Sequence, residues 1–286
     1  MKKTLCHLII AASLPVIVQT ASAQTTILTD NFTVGSNGDA NTDLGSRQTG
    51  TYAGSPYVYG DSYGGTGSQT GNPTLVGQPG GAANSNYLLM FNEGYVYNSL
   101  GFNDTVVGGN HALSISFNLY QQTLDSQDPT LWTSFSFGRG EPSPNQAGQF
   151  GFLVQCNQGL WVFDGNNSAL NQYNNAGFVT SDSWTVELSD TAGGTGSPFD
   201  GSTYVKLFNN NDPANGMTGL GLVWSGQLTT PLNADPQIGF LCFQGPPNTA
   251  WNEAGVDNLN VVAAPEPSTY AMLVGGFAML IGLRRK

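Results

Sequence analysis

Basic residues are almost missing from the body of this 286-residue chain. Between positions 24 and 264 the only ones are Arg47, Arg139 and Lys206, against eighteen carboxylates. Charged residues of both signs make up just 9% of the whole, and the net charge is −11. Such a surface repels phosphate and anionic lipid, so nucleic acid is excluded as a partner. Solubility rests on Asn, Gln, Ser, Thr and Gly, a composition that suits neutral polymers or cations as neighbours.

Histidine is nearly as scarce. His111 is the only one beyond residue 23, which leaves a histidine-based triad or a multi-histidine metal site without material. Glutamate between positions 24 and 264 is limited to Glu93, Glu141, Glu187 and Glu253. No phosphate loop, dinucleotide fingerprint or flat Thr-x-Thr array occurs, and no internal repeat points to a solenoid or propeller. Of three cysteines, Cys6 lies near the start, leaving Cys156 and Cys242. Two arrangements stay open for that pair: one disulfide, or two buried thiols acting as small hydrophobes.

Both ends have their own chemistry. Residues 1–23 read as a secretory signal peptide, with basic Lys2 and Lys3, a mostly apolar stretch over 5–18, and Ala21-Ser22-Ala23 as a small-x-small cleavage site before Gln24. Pro15 interrupts the apolar run, which speaks against a buried first helix. At the other end Pro265-Glu266-Pro267-Ser268-Thr269 leads into an apolar run over 270–283, closed by Arg284, Arg285 and Lys286. That is a rigid spacer, a hydrophobic segment and a positive stop. The run is shorter than the ~20 residues a stable spanning helix needs. It suits a segment made for removal.

Residues 265–286 resemble the PEP-CTERM sorting signal of Gram-negative bacteria, a tail sometimes labelled the ice-binding protein C-terminal domain. The resemblance implies a partner, the membrane transpeptidase exosortase, which recognises the Pro265-Glu266-Pro267 element. It also implies a transient inner-membrane stage and then the cell surface or a biofilm matrix. It covers the tail alone.

Residues 24–264 read as one all-β domain. The clearest strand is 113–120, where Leu113, Ile115, Phe117 and Leu119 alternate with Ser114, Ser116 and Asn118. Further strands are expected over 27–32, 87–91, 131–137, 150–156, 160–163, 183–189, 203–208, 219–224, 238–243 and 255–262. Turn chemistry separates them at Asp128-Pro129, Asp164-Gly165, Asp212-Pro213 and Asp235-Pro236. The glycine-rich stretch 33–85 is long for a loop and predicts short irregular strands. This spacing implies a two-sheet antiparallel sandwich.

The strand rhythm, with an opening Asp30-Asn31-Phe32 and a closing Val256-Asp257-Asn258-Leu259, resembles the concanavalin A-like or laminin G-like jelly rolls. The resemblance implies that the first and last strands lie side by side. Laminin G-like relatives often hold calcium on loop oxygens, and Asp164-Gly165-Asn166-Asn167 and Asn209-Asn210-Asn211-Asp212 have such groups. No Asp-x-Asp-x-Asp-Gly spacing exists, and these clusters are ordinary turn formers, so no cofactor is expected. Sandwich hydrolases need paired carboxylates. The Glu-x-Asp-x-x-Glu motif of laminarinase-like enzymes is absent, and Glu187 points to solvent by alternation. No catalytic residue is assigned.

Tryptophan is left. Trp184 and Trp161 read as core, the latter flanked by Leu160, Val162 and Phe163. Trp132 falls on the face of Ser134 and Ser136, where an indole can stack on a sugar ring or pack under a loop. Trp251, after Pro246-Pro247, is a second candidate. The expectation is an exported, sorted surface or matrix protein with a non-catalytic module that binds extracellular polysaccharide. The alternatives are a divergent polysaccharide-active enzyme and a purely structural matrix component.

Overall fold

A computed structural model describes residues 25–30, 48–52, 55–63, 74–77, 86–91, 94–98, 100–102, 107, 112–121, 130–139, 142–157, 159–166, 169–173, 181–190, 199, 203–210, 221–232, 235–244 and 253–263. They belong to one compact unit, Gln24–Glu266. Sixteen strands occur among them: β1 Thr25–Asp30, β2 Gln48–Tyr52, β3 Ser55–Tyr63, β4 Thr74–Gly77, β5 Asn86–Phe91, β6 Gly94–Asn98, β7 Ala112–Gln121 and β8 Leu131–Gly138. Then come β9 Phe150–Gln155, β10 Leu160–Asp164, β11 Ala169–Tyr173, β12 Ser181–Asp190, β13 Thr203–Asn209, β14 Gly221–Gln227, β15 Gln237–Gln244 and β16 Glu253–Ala263.

They form two antiparallel sheets, so the expected all-β, two-sheet architecture is the one observed. Sheet 1 runs β14-β13-β12-β7-β16-β5-β4, with β1 also paired to β16. Sheet 2 runs β11-β10-β9-β8-β15-β6-β3-β2. The first and last strands do lie side by side, from Thr25 opposite Ala263 to Asp30 opposite Leu259. β5 pairs with the other half of β16, over Glu253–Val256. Between the halves a bulge at Asp257–Asn260 shifts the register against β7, and Asn258 takes φ 53°. Asparagine tolerates that left-handed geometry better than most residues. The stretch 33–85 contributes β2, β3 and β4, as its length suggested.

Period-two patterning drives this arrangement. In β7, Leu113, Ile115, Phe117 and Leu119 are buried while Ser114, Ser116 and Asn118 are partly exposed. Phe117 is the centre of the core. Its ring lies 4.9 Å from Phe135 and 5.1 Å from Phe240, both from sheet 2, and Phe152 lies 4.7 Å from Trp184. Aromatic rings bury more area per side chain than any other kind, so these contacts dominate the attraction between the sheets.

Phe199, between β12 and β13, closes one region of the core. Its side chain is fully buried and meets Phe137 edge-on at 5.8 Å. It has φ 74°, a strained geometry for a bulky residue. The buried Asp190 carboxylate accepts its backbone N–H at 3.2 Å, and its carbonyl accepts from the Thr203 hydroxyl at 3.3 Å. Packing and these two bonds hold the strained residue in place.

Candidate functional site

The outward face of sheet 2 departs from the polar exterior that a sandwich strand normally shows. In β8 the side chains of Phe135 and Phe137 join the core, so Trp132, Ser134 and Ser136 project outward. Trp132 is partly exposed and sits directly opposite Phe243 of β15. The rings stack 4.6 Å apart at 17°. On the same face Tyr95 and Tyr97 of β6 lie two residues apart, both partly exposed, with centroids separated by 6.4 Å.

Trp161 corrects the sequence-based reading. It was expected in the core among Leu160, Val162 and Phe163, yet it is partly exposed and opposite Leu153, on the outward face. Leu160 and Val162 take the core positions. The misplacement has a physical reason: both faces of β10 are apolar, so composition hides the alternation. Trp184 is fully buried as expected.

The register orders this face into rows across the strands. One row is Phe243, Trp132, Gln155; the next is Tyr95, Leu241, Ser134, Leu153, Trp161; a third is Tyr97, Gly239, Ser136, Gly151, Phe163. The third row is roofed. A Cβ on Gly239 would come within 2.2 Å of Pro142 Cβ, and one on Gly151 within 2.6 Å of Pro144 Cα. Gly138 is closed in the same way by Gln149, whose amide donates to the Arg139 carbonyl at 3.1 Å. Three glycines on three adjacent strands thus let the segment 142–149 lie flat against the sheet. Sequence reasoning missed this seat, because only the register shows Gly239 and Gly151 flanking Ser136, with Gly138 one row further on.

The outward residues described on β6, β8, β9, β10 and β15 include no Asp, Glu, Lys or Arg. Sheet 1 differs. There Glu187 stands opposite Lys206 and pairs with it at 3.6 Å, both side chains nearly half exposed. Glu187 therefore faces solvent with a cation beside it, and exposed pairs of this kind contribute little stability.

The other expected residues are accounted for as follows. Cys156 and Cys242 are buried free thiols, which corrects the disulfide alternative. Cys242 lies in β15 opposite Thr133, and the Cys156 N–H donates to the Leu131 carbonyl at 2.9 Å. β8 therefore runs between them, at about 10 Å for two strand spacings, beyond the ~7 Å a disulfide spans. Asp164 is buried and acts as a turn former: its Oδ1 accepts from Asn166 N–H at 3.3 Å, and its carbonyl from Thr229 N–H at 3.1 Å. Among the described residues no group of three or more His, Cys, Asp or Glu converges as a metal site. Ala21, Ala23, Gln24, Trp251, Pro265, Glu266 and Pro267, with the signal and tail segments around them, lie outside the described residues. Among the described residues no helix is long and apolar enough to cross a membrane.

A pair of carboxylates escaped the sequence reading. Asp30 of β1 and Asp257 at the β16 bulge are 4% and 7% exposed. Burial pushes Asp257 above the usual aspartate range; the Asn258 N–H, donating to it at 2.7 Å, opposes this, and the charge of Asp30 adds to it.

No family model matches the chain, and no curated protein does. Solved structures with a similar course include the binding domain of botulinum neurotoxin DC in complex with rat synaptotagmin II, at 13% identity and TM-score 0.46, covering 84% of this chain and 48% of that one. Lectin II from Ulex europaeus is similar at 13% identity and TM-score 0.40, covering 71% and 91%. Peanut lectin with a 9mer peptide is similar at 10% identity and TM-score 0.38, covering 73% and 98%. The chain spans about half the length of the botulinum neurotoxin binding domains it matches.

Proposed function

We propose that this is an exported, exosortase-sorted surface or matrix protein whose sandwich binds extracellular glycan without catalysis. The observation that carries the binding is the stacked Trp132–Phe243 pair, partly exposed on a sheet face whose described outward residues on β6, β8, β9, β10 and β15 carry no charge. An aromatic face in water loses free energy unless something covers it. A sugar's C–H surface does so while its hydroxyls stay hydrated. The non-catalytic reading rests on the scarcity of glutamate between positions 24 and 264, where Glu187 is solvent-facing and engaged with Lys206. The export and sorting half rests on the small-x-small site before Gln24 and on the Pro265-Glu266-Pro267 tail.

Affinity electrophoresis in gels containing neutral polysaccharides tests the binding. Retardation of the purified protein is expected, lost in Trp132→Ala and kept in Tyr204→Ala, an exposed ring on sheet 1. No retardation in any gel would refute it. Intact mass of the protein from its native host tests the sorting. Residues 270–286 still present on the surface form would refute that half.

A further inference from the structure

Cys156 and Cys242 flank a single strand. Cys242 of β15 stands opposite Thr133 of β8, and the Cys156 N–H donates to the Leu131 carbonyl of that same strand at 2.9 Å. β8 pairs with β15 on one side and with β9 on the other. Its width holds the two residues at least about 10 Å apart, against the ~7 Å that a disulfide spans. Both side chains are buried, so the finished fold keeps them from oxidants as well as from each other.

β8 is not a strand the fold can spare. Phe135 lies 4.9 Å from Phe117, 5.7 Å from Phe152 and 5.7 Å from Phe240. Phe137 meets Phe102 at 5.6 Å and Phe199 at 5.8 Å. Without β8 the middle of the core is empty, and Trp132 is lost from the outward face.

The unfolded chain has no such separation. Beyond residue 23 these are the only two cysteines, so oxidation within one chain has one product. Disulfides form in seconds to hours, depending on the oxidant. β8 must find β15, far along the chain, and non-local strand pairings of this kind are slow. Folding and oxidation therefore compete. A native cross-link stabilises a protein by restricting the unfolded chain, but this bond is barred from the folded state and acts the other way.

We infer that Cys156 and Cys242 form a redox gate on folding: β8 inserts between them only while both are reduced. When oxidation comes first, each sulfur loses its proton and the pair gives up two electrons. The oxidant takes them, a disulfide becoming a dithiol or a diazene becoming a hydrazine. The new S–S bond then ties β9 to β15 across the place that β8 must fill. Reduction by a dithiol reopens it. For a chain exported as proposed above, folding must outrun oxidation in the compartment it reaches.

Refolding of the full chain in a Cys6→Ala background tests the gate. One sample is unfolded and reduced. The other is unfolded, oxidised with diamide at high dilution, and taken as the monomer two hydrogens lighter. After removal of denaturant the reduced sample should regain native tryptophan fluorescence and circular dichroism. The oxidised sample should regain less than about a tenth of that signal, because the bond and β8 exclude each other, and dithiothreitol should restore the rest. Diamide added after folding should change neither mass nor signal, and Cys242→Ala should refold alike with and without diamide. A native signal from the lighter monomer, or no rescue by dithiothreitol, would overturn the gate. Should the reduced chain not refold from denaturant, secreted yield decides. Cys242→Ala should then exceed its parent several-fold when the medium holds diamide, and equal yields would overturn the gate.

Discussion

Trp132 and Phe243 face each other across β8 and β15 with their rings stacked at 4.6 Å, on the side of sheet 2 opposite the core. The pair separates two roles that aromatic residues play in this chain. Phe117, Phe135 and Phe240 hold the sheets together, whereas Trp132 and Phe243 stack on each other on the outward face and stay partly exposed.

That difference predicts unequal costs. Trp184→Ala, at a fully buried site, should destabilise by about 3–5 kcal/mol. Trp132→Ala should lose less, about 1–3 kcal/mol, from the aromatic pair contact and the part of its area that is buried. Denaturant unfolding measures both. Equal losses would mean that Trp132 is a core residue.

The Asp257 carboxyl predicts a pH dependence with a definite sign. Its pKa in the folded state is raised, so the folded protein binds the proton more tightly than the unfolded chain. This contribution is fully present below the ordinary value of 3.8 and is lost as pH rises through the raised value. Asp257→Asn should therefore raise the melting temperature at neutral pH and bring little gain in acid. A neutral-pH loss in Asp257→Asn would show that the ionised carboxylate is what the bulge requires.

The two thiols predict a redox-insensitive fold. Cys156 and Cys242 should be unreactive toward a thiol reagent in the native protein and should both react after unfolding. A native mass two hydrogens below the reduced value would contradict the spacing that β8 imposes.

The roof over sheet 2 predicts a clash. Gly239→Ala puts a Cβ about where Pro142 now lies, so the segment 142–149 must lift or the variant must lose about 1–3 kcal/mol by overpacking. Unchanged stability, with no altered protease access to 142–149, would show that the segment does not rest on this strand.

Where one face of a strand is polar, its sequence is readable. β7 shows this best, since Ser114, Ser116 and Asn118 mark the outside. The same parity placed Trp132 with Ser134 and Ser136. It failed at Trp161, because β10 meets apolar neighbours on both faces. β6 and β11 went unseen: Gly94–Asn98 is short, and Ala169–Tyr173 at the edge of sheet 2 is polar without alternation. The candidate site was legible only as one indole. Phe243, Tyr95, Trp161 and the neighbouring Gly138, Gly151 and Gly239 come together through cross-strand register, a long-range property that no local pattern encodes. Asp30 and Asp257 meet for the same reason, through the pairing of the first and last strands.

The central claim is that sugar lies on the Trp132 side of sheet 2. NMR titration of the protein with a neutral glycan that retards it in the gel is the most direct test. The Trp132 indole N–H and the backbone amides of β8 and β15 should shift together and saturate with one affinity, while those of β12 and β13 stay still. Shifts confined to sheet 1 or the turns, with the Trp132 signal unmoved, would contradict the account.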